Sequence, residues 1–224
     1  MIKVKRKPFD EITSVVEKYN NILIVGCGGC ASVCFGGGLN EVKWLKKDLE
    51  NFFSTSNKKF SFYVVERACN EKFFTGLENI VAEQSADCII CMSCSAGTQL
   101  IAQRFSKIPV YPAVNTVAIA FDVDVGLFKE VCRACGNCII GYTGGICPVT
   151  RCSKSLFNGP CGGMINGHCE IDPNTPCAWY EIYERLKEQN RLEELERIIP
   201  FIEWKNQIPQ IIVQYGYEDK YEKK

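Results

Sequence analysis

Histidine is almost absent from this chain, which has a single one, His168, among 224 residues. Zinc sites of mixed cysteine and histidine type, and most acid–base catalysis by imidazole, therefore lack the residues that they need. Net charge is absent as well, because 26 basic and 26 acidic side chains cancel. Nothing in the charge balance favours a nucleic acid or an anionic membrane surface as partner, and we expect neither.

Long apolar runs are also missing. No stretch approaches the roughly 20 apolar residues of a membrane span, and the opening "MIKVKRKPFDEITS" lacks the apolar segment of a secretory signal. We therefore expect a cytoplasmic protein without a membrane span.

Cysteine, in contrast, is abundant, with 15 residues. In a reducing cytoplasm a disulfide framework explains them poorly, whereas soft thiolate ligands suit iron–sulfur clusters or zinc.

Apolar and turn patterns over the first 128 residues predict an α/β domain. Strands are predicted at 22–25, 59–66, 87–92 and 108–114, and helices at 8–19, 39–53, about 71–84 and 96–105. Strands that alternate with helices at this spacing favour a small parallel sheet with flanking helices, a Rossmann-like arrangement. In such sheets ligands bind beyond the carboxyl ends of the strands.

The sequence changes character near residue 130. Residues 129–178 hold eight cysteines and no periodic segment, so bound metal must supply much of the folding free energy of this cysteine-rich region. Helical periodicity returns at 179–204, and the tail up to residue 224 is aromatic and apolar. We therefore predict three parts: the α/β domain 1–128, an iron–sulfur region 129–178, and C-terminal helices with a tail, 179–224. The tail is either a disordered end or an arm that binds a partner.

The loop after the first predicted strand, "ILIVGCGGCASVCFGGG", supports two interpretations. Gly26, Gly28 and Ala31 fit the G-x-G-x-x-G/A pattern of a dinucleotide-binding turn. Glu66, at the end of the second strand, would then bind the ribose of a nicotinamide or flavin nucleotide. The same loop, however, carries three cysteines, and thiolates would compete with a pyrophosphate for the same backbone N–H groups. We therefore favour a metal centre.

The cysteines of this loop, Cys27, Cys30 and Cys34, need a fourth ligand. Because the carboxyl ends of parallel strands share one edge of the sheet, the cysteines after the second and third strands are candidates. Cys94 is the first choice and Cys69 the second. Either iron–sulfur or zinc would suit such a site.

The second cysteine group begins with Cys132-x-x-Cys135-x-x-Cys138 and continues to Cys147, which precedes a proline. This spacing resembles the ferredoxin run C-x2-C-x2-C…C-P, except that eight residues rather than three precede the last cysteine. Four more cysteines follow: Cys152, Cys161, Cys169 and Cys177. Eight thiolates match two 4Fe–4S clusters, and two four-cysteine zinc sites are the alternative.

Five motifs together carry a resemblance to a known family: "GCGGCASVCFGGG", "RACNE", "CSAGTQLIA", "YPAVNT" and "CSKSLFNGPCGG…GHCE…PCAWYEIYERL". Over about residues 8–198 the chain resembles the methylenetetrahydrofolate reductase C-terminal family, the small iron–sulfur subunit of acetogenic and related anaerobic bacteria. The resemblance implies a partner, a flavin-dependent reductase subunit built on a (β/α)8 barrel, which binds FMN and the folate.

By the same resemblance this chain relays electrons to the partner's flavin and has no catalytic residue of its own. The clusters would be bound by the eight cysteines from Cys132 to Cys177 and by the set Cys27, Cys30, Cys34 and Cys94. A ferredoxin or another electron-donor protein would be a further partner. Cys88 and Cys91 depart from the family pattern, so that Cys69, Cys88 or Cys91 could replace Cys94. A zinc-stabilised scaffold that docks the reductase without carrying electrons is the alternative function.

Overall fold

The computed structural model of this chain describes residues 1–204, 208–209 and 211–221. It divides into two compact units, Met1–Glu130 and Val131–Lys224. The finer division into three parts stays a prediction.

Most of the strands and helices lie in the first unit, whereas the last three α-helices lie in the second. The strands are β1 (Ile2–Arg6), β2 (Asn21–Cys27), β3 (Lys59–Val65), β4 (Cys88–Met92), β5 (Val110–Pro112), β6 (Val114–Asp124) and β7 (Leu127–Cys132). The α-helices are α1 (Phe9–Val16), α2 (Cys30–Val33), α3 (Leu39–Phe52), α4 (Thr75–Glu83), α5 (Ser95–Arg104), α6 (Pro148–Arg151), α7 (Ala178–Glu188) and α8 (Glu218–Tyr221).

Four parallel strands form the main sheet of the first unit, in the order β3-β2-β4-β5. The central strand β2 is buried from Ile22 to Cys27, and all of β4 is buried, as expected for strands covered on both faces. The prediction of a parallel sheet with flanking helices is therefore confirmed. The fourth strand is shorter than predicted, because the chain passes into another sheet after Ala113.

Helices pack on this sheet through apolar stripes. In α3 the buried residues are Val42, Leu45 and Leu49, which recur at helical spacing on one face. In α1 the buried residues Ile12 and Val16 are four residues apart and therefore also lie on one face of the helix. These side chains belong to one continuous core with the strands of the sheet.

A second, antiparallel sheet of three strands was not predicted from the sequence. Its order is β1-β6-β7, and β1 pairs with β6 from Ile2 opposite Ile119 to Arg6 opposite Val114. The β6–β7 connection is the two-residue turn at 125–126, where Gly126 has a φ of +80°. Only glycine adopts such a φ without steric cost, so this residue allows the chain to reverse within two residues.

Three predicted helices are shorter than expected. The helix predicted over 8–19 is α1, which ends at Val16. The segment 71–84 consists of a 3-10 turn, Glu71–Phe73, followed by α4. The predicted helix over 179–204 ends at Glu188, the last residue of α7, and a 3-10 segment, Leu192–Glu196, follows. Asn190 lies between them with a left-handed φ of +53°, which ends the α-helix.

The second unit has a small core of its own. Ile146, Trp179, Ile182 and Leu186 are buried together, with Cys152 and Cys177 packed against them. Between Arg133 and Cys177 the regular structure is limited to short helical turns and two isolated bridges made by His168. A ferredoxin-like fold for this region therefore stays a prediction.

The predicted tail lies partly outside the described residues, since 205–207, 210 and 222–224 are not among them. Of the described part, Ile211 and Tyr215 are almost fully exposed, and α8 is the one regular element. Both alternatives for the tail stay open.

Candidate metal centres

The backbone of the glycine-rich loop is hydrogen-bonded within the chain. The N–H of Cys27 donates to the Gly37 carbonyl at 2.8 Å, and the N–H of Gly28 donates to the Val65 carbonyl at 2.8 Å. A nucleotide pyrophosphate would need such N–H groups free. The N–H groups of Cys27 and Gly28 are therefore not available to a dinucleotide.

Close packing explains the glycines of this loop. A β-carbon added at Gly26 would lie 2.6 Å from Val42 Cγ2, and one at Gly37 would lie 1.7 Å from the Met92 carbonyl oxygen. Neither position has room for a side chain. The glycines therefore let the loop lie directly against its own sheet, without any need for a ligand to account for them.

The three cysteines of the loop have different environments. Cys27 is buried at the end of β2 and accepts a hydrogen bond from the Gly29 N–H, with N and Sγ 3.4 Å apart. Cys30 begins α2 and is half-buried. Cys34 is buried, and its sulfur accepts a hydrogen bond from the Val4 N–H at 3.4 Å. Backbone N–H groups also donate to the sulfur ligands of metal centres.

Loops that follow three neighbouring strands meet at this edge of the sheet. The β-carbon position of Gly28 lies 3.2 Å from the Glu66 carbonyl oxygen, and that of Gly97 lies 2.7 Å from Ala68 Cβ. Cys69 follows Ala68 directly and is exposed, whereas Cys94 precedes α5 and is half-buried. Both remain candidates for the fourth ligand.

Cys88 lies at the other end of the sheet. It pairs in register with Ile22, five residues before Cys27, a separation of about 16 Å along the strand. Burial raises the pKa of its thiol to about 12, with a smaller contribution from the charge of Asp87. This position argues against Cys88 as a ligand for the loop.

Cys91 is nearer to the loop but is fully buried. Its sulfur lies 3.1 Å from the Ser93 hydroxyl oxygen, which in turn lies 3.1 Å from that of Thr98. Burial raises the pKa of the Cys91 thiol, and the hydrogen bond with Ser93 opposes that shift only in part. A fully buried thiol that is already hydrogen-bonded is less accessible to a metal than Cys94 or Cys69.

The second unit brings four of the predicted ligands around one pocket. Its walls include Cys152, Cys161, Cys169 and Cys177, and its volume is about 360 Å³ with the open space at its mouth. The Gly163 N–H donates to the Cys161 sulfur at 3.4 Å. These are the last four cysteines of the chain, and four thiolates are what one 4Fe–4S cluster or one structural zinc requires.

Hydrogen bonds favour the thiolate form at one wall of this pocket. The pKa of the Cys169 thiol is lowered, first by its hydrogen bond with the Ser153 hydroxyl and then by the backbone N–H of Ile171. A thiol with a lowered pKa loses its proton more readily to a metal. The only histidine, His168, has its Nδ1 3.0 Å from the Asn166 carbonyl oxygen and does not line this pocket.

The other four cysteines of this region are more open. Cys132 and Cys138 are exposed, and Cys135 and Cys147 are half-buried. The Ala134 N–H donates to the Cys132 sulfur at 3.3 Å, in a bend where Ala134 and Gly136 both have left-handed φ values. Such a bend suits a chain that wraps around a cluster.

Across the described part of the chain, no three cysteine, histidine, aspartate or glutamate side chains are already arranged to hold a metal ion. The ligand sets from the sequence therefore stay predictions. The donor chemistry nevertheless fits a thiophilic metal at both places, because sulfur atoms dominate and backbone N–H groups point at several of them.

Sequence comparison finds one family match, over the cysteine-rich part of the chain. Residues 111–205 match the family described as methylene-tetrahydrofolate reductase C terminal. The family predicted from the motifs is thus confirmed for this segment, which contains all eight C-terminal cysteines. Comparisons with curated proteins and with solved structures gave no match.

No helix within 1–204, 208–209 and 211–221 is long and apolar enough to cross a membrane.

Several residues that contact the candidate cysteines or line their pocket were not identified from the sequence. Among them are Val4, Ser153, Lys154 and Glu170. Glu170 directly follows Cys169 and Lys154 stands two positions after Cys152, and this proximity in the sequence was the available signal.

Proposed function

We propose that this chain is the electron-transfer iron–sulfur subunit of a methylenetetrahydrofolate reductase complex. It passes single electrons from a low-potential donor, such as a ferredoxin, to the flavin of a catalytic partner subunit. Two 4Fe–4S clusters belong to the C-terminal cysteines, and a further centre belongs to the loop after β2. FMN and the folate bind to the partner.

The observation that carries this proposal is the pocket with four cysteines. Cys152, Cys161, Cys169 and Cys177 are up to 25 positions apart in the sequence and still line one pocket. The pocket lies wholly within the segment that matches the reductase-associated family. A bound cluster would supply one-electron chemistry, while the chain supplies the thiolates and the N–H groups around them.

The proposed division of labour between two subunits also rests on the fold. A (β/α)8 barrel needs eight parallel strands and about 250 residues, whereas the described part of this chain forms sheets of three and four strands. We therefore assign the folate chemistry to the proposed partner subunit. The hydrogen bonds of the loop at Gly26–Gly37 also argue against a nucleotide-binding enzyme.

Metal analysis of the full chain, purified without oxygen, tests the proposal. We expect about twelve iron atoms and twelve acid-labile sulfides per chain, together with EPR signals after reduction. Stoichiometric zinc without a cluster signal would instead support the scaffold alternative and contradict the relay.

A cysteine variant separates the two functions. Cys135→Ser should leave assembly with the reductase intact and slow electron flow to its flavin. Cys88→Ala is the control, because this buried thiol belongs to none of the proposed ligand sets, and it should leave electron flow unchanged. Normal electron flow in Cys135→Ser would argue against a relay through that cysteine.

A further inference from the structure

An ion pair lies on the wall of the four-cysteine pocket. The Lys154 ammonium group contacts the Glu170 carboxylate, and both residues line the pocket together with the cysteines. Glu170 Oε1 is also 3.6 Å from the Cys161 sulfur. One positive and one negative charge therefore lie close to a proposed ligand.

The backbone leaves space for this pair. A β-carbon at Gly163 would lie 2.1 Å from the Glu170 carboxylate carbon, so that the carboxylate occupies the space that a side chain would fill. Gly163 is also the residue whose N–H donates to the Cys161 sulfur. The position of Glu170 is thus coupled to the backbone that surrounds Cys161.

Fixed charges near a redox centre change its reduction potential. A reduced donor protein loses one electron and is thereby oxidised, the centre in the pocket gains that electron and one negative charge, and no bond breaks. A nearby ammonium group stabilises the added charge and a nearby carboxylate opposes it. Lys154 and Glu170 are each about one third exposed, at 35% and 38%, so solvent weakens these effects without removing them.

We propose that Lys154 and Glu170 are a tuning pair for the centre bound by Cys152, Cys161, Cys169 and Cys177. Lys154 raises its reduction potential and Glu170 lowers it. The pair thereby sets how readily this pocket accepts an electron. This inference rests on the proposed function, since it requires an iron–sulfur cluster in the pocket.

Redox titration of the full chain, followed by EPR, tests the pair through two variants of opposite sign. Lys154→Met should lower one midpoint potential, and Glu170→Gln should raise the same one. Lys154→Arg keeps the charge and should restore a potential near that of the unaltered chain. Cys169→Ser identifies the affected signal, because it should remove that signal and no other.

Two controls complete the design. Lys46→Met breaks an ion pair with Glu50 in α3, outside the pocket, and should leave every potential unchanged. Raising the ionic strength should reduce the shifts, since the two charges are partly exposed. Iron and sulfide content should be the same in the charge variants as in the unaltered chain.

The outcomes separate this inference from the proposed function. If the unaltered chain holds zinc or no metal in this pocket, both fail. If it holds the cluster but the two variants leave its potential unchanged, or shift it in the same direction, the tuning pair is wrong and the relay stands. Loss of iron from Lys154→Met, without a shift in the midpoint potential of the remaining signal, would also contradict the proposed tuning role of Lys154 and Glu170.

Discussion

The backbone N–H of Val4 donates a hydrogen bond to the sulfur of Cys34, with the two atoms 3.4 Å apart. Strand β1 therefore contacts the cysteine loop that follows β2, although about 30 residues separate the two in the chain. The same loop lies against Met92 at the end of β4. Its conformation is thus fixed by two different sheets, and changes in the loop should affect the stability of the whole first unit.

Gly37→Ala should destabilise the fold strongly. The new β-carbon would lie 1.7 Å from the Met92 carbonyl oxygen, a backbone atom that cannot move away cheaply. Overpacking of this kind costs about 1–3 kcal/mol or more, which thermal or chemical unfolding measures. Gly141→Ala is the control, since its β-carbon would meet no atom within 4 Å and should leave stability nearly unchanged. Equal stability of the two variants would contradict the packing of this loop.

Leu45→Ala and Trp44→Ala should differ sharply, although they are neighbours in α3. Leu45 is fully buried against the sheet, and its truncation should cost about 2–5 kcal/mol in unfolding free energy. Trp44 is 59% exposed, so its truncation should change stability by about 0.5 kcal/mol or less. Chemical denaturation of both variants measures the difference. A larger loss for Trp44 would mean that α3 presents its other face to the sheet.

Cys94→Ser should remove metal from the centre after β2, whereas Cys88→Ser should retain it. Cys94 stands at the edge where the three loops meet, while Cys88 is buried at the far end of β4. We expect the first variant to lose about four iron atoms per chain relative to the unaltered protein. Full iron content in Cys94→Ser, with a loss in Cys69→Ser, would reassign the fourth ligand to Cys69.

Stability should fall at high pH through Tyr19. Its hydroxyl oxygen lies 2.8 Å from that of Tyr111, and this hydrogen bond, assisted by burial, raises the pKa of Tyr19 to about 12. An unfolded tyrosine titrates near pH 10, so the stabilisation is complete below about pH 10 and is lost as pH rises towards 12.

Tyr111→Phe isolates this contribution, because it keeps the ring and removes the hydroxyl partner. Denaturation at about pH 9 and again between pH 10 and 12 should show a smaller additional loss of stability in the variant than in the unaltered chain. Because the variant and the unaltered chain have the same lysines, the effect of lysine titration on stability is the same in both and does not enter the difference between them. An identical pH dependence would show that the Tyr111 hydroxyl is not the cause.

Local pattern predicted the parallel sheet well. Each of its four strands and the apolar stripe of α3 were visible in the sequence, because burial of strands and of one helix face leaves a short-range periodicity. The alternation of Ile2 and Val4 with lysines in β1 was also present, and so was the turn glycine at 126. These signals were weak, since edge strands such as β1 bury little and depend on partners far away in the sequence.

The sequence by itself determined that a thiophilic metal would find sulfur ligands here and almost no imidazole, because it offers 15 cysteines and one histidine. Its cysteine-rich segment also matches the family described as methylene-tetrahydrofolate reductase C terminal. Only the tertiary structure decided which residues line the same pocket: the last four cysteines do so together with Lys154 and Glu170, whereas Cys88 lies far from the loop after β2. Spacing along a chain fixes the chemical types available, whereas packing between distant segments fixes which of them share a site.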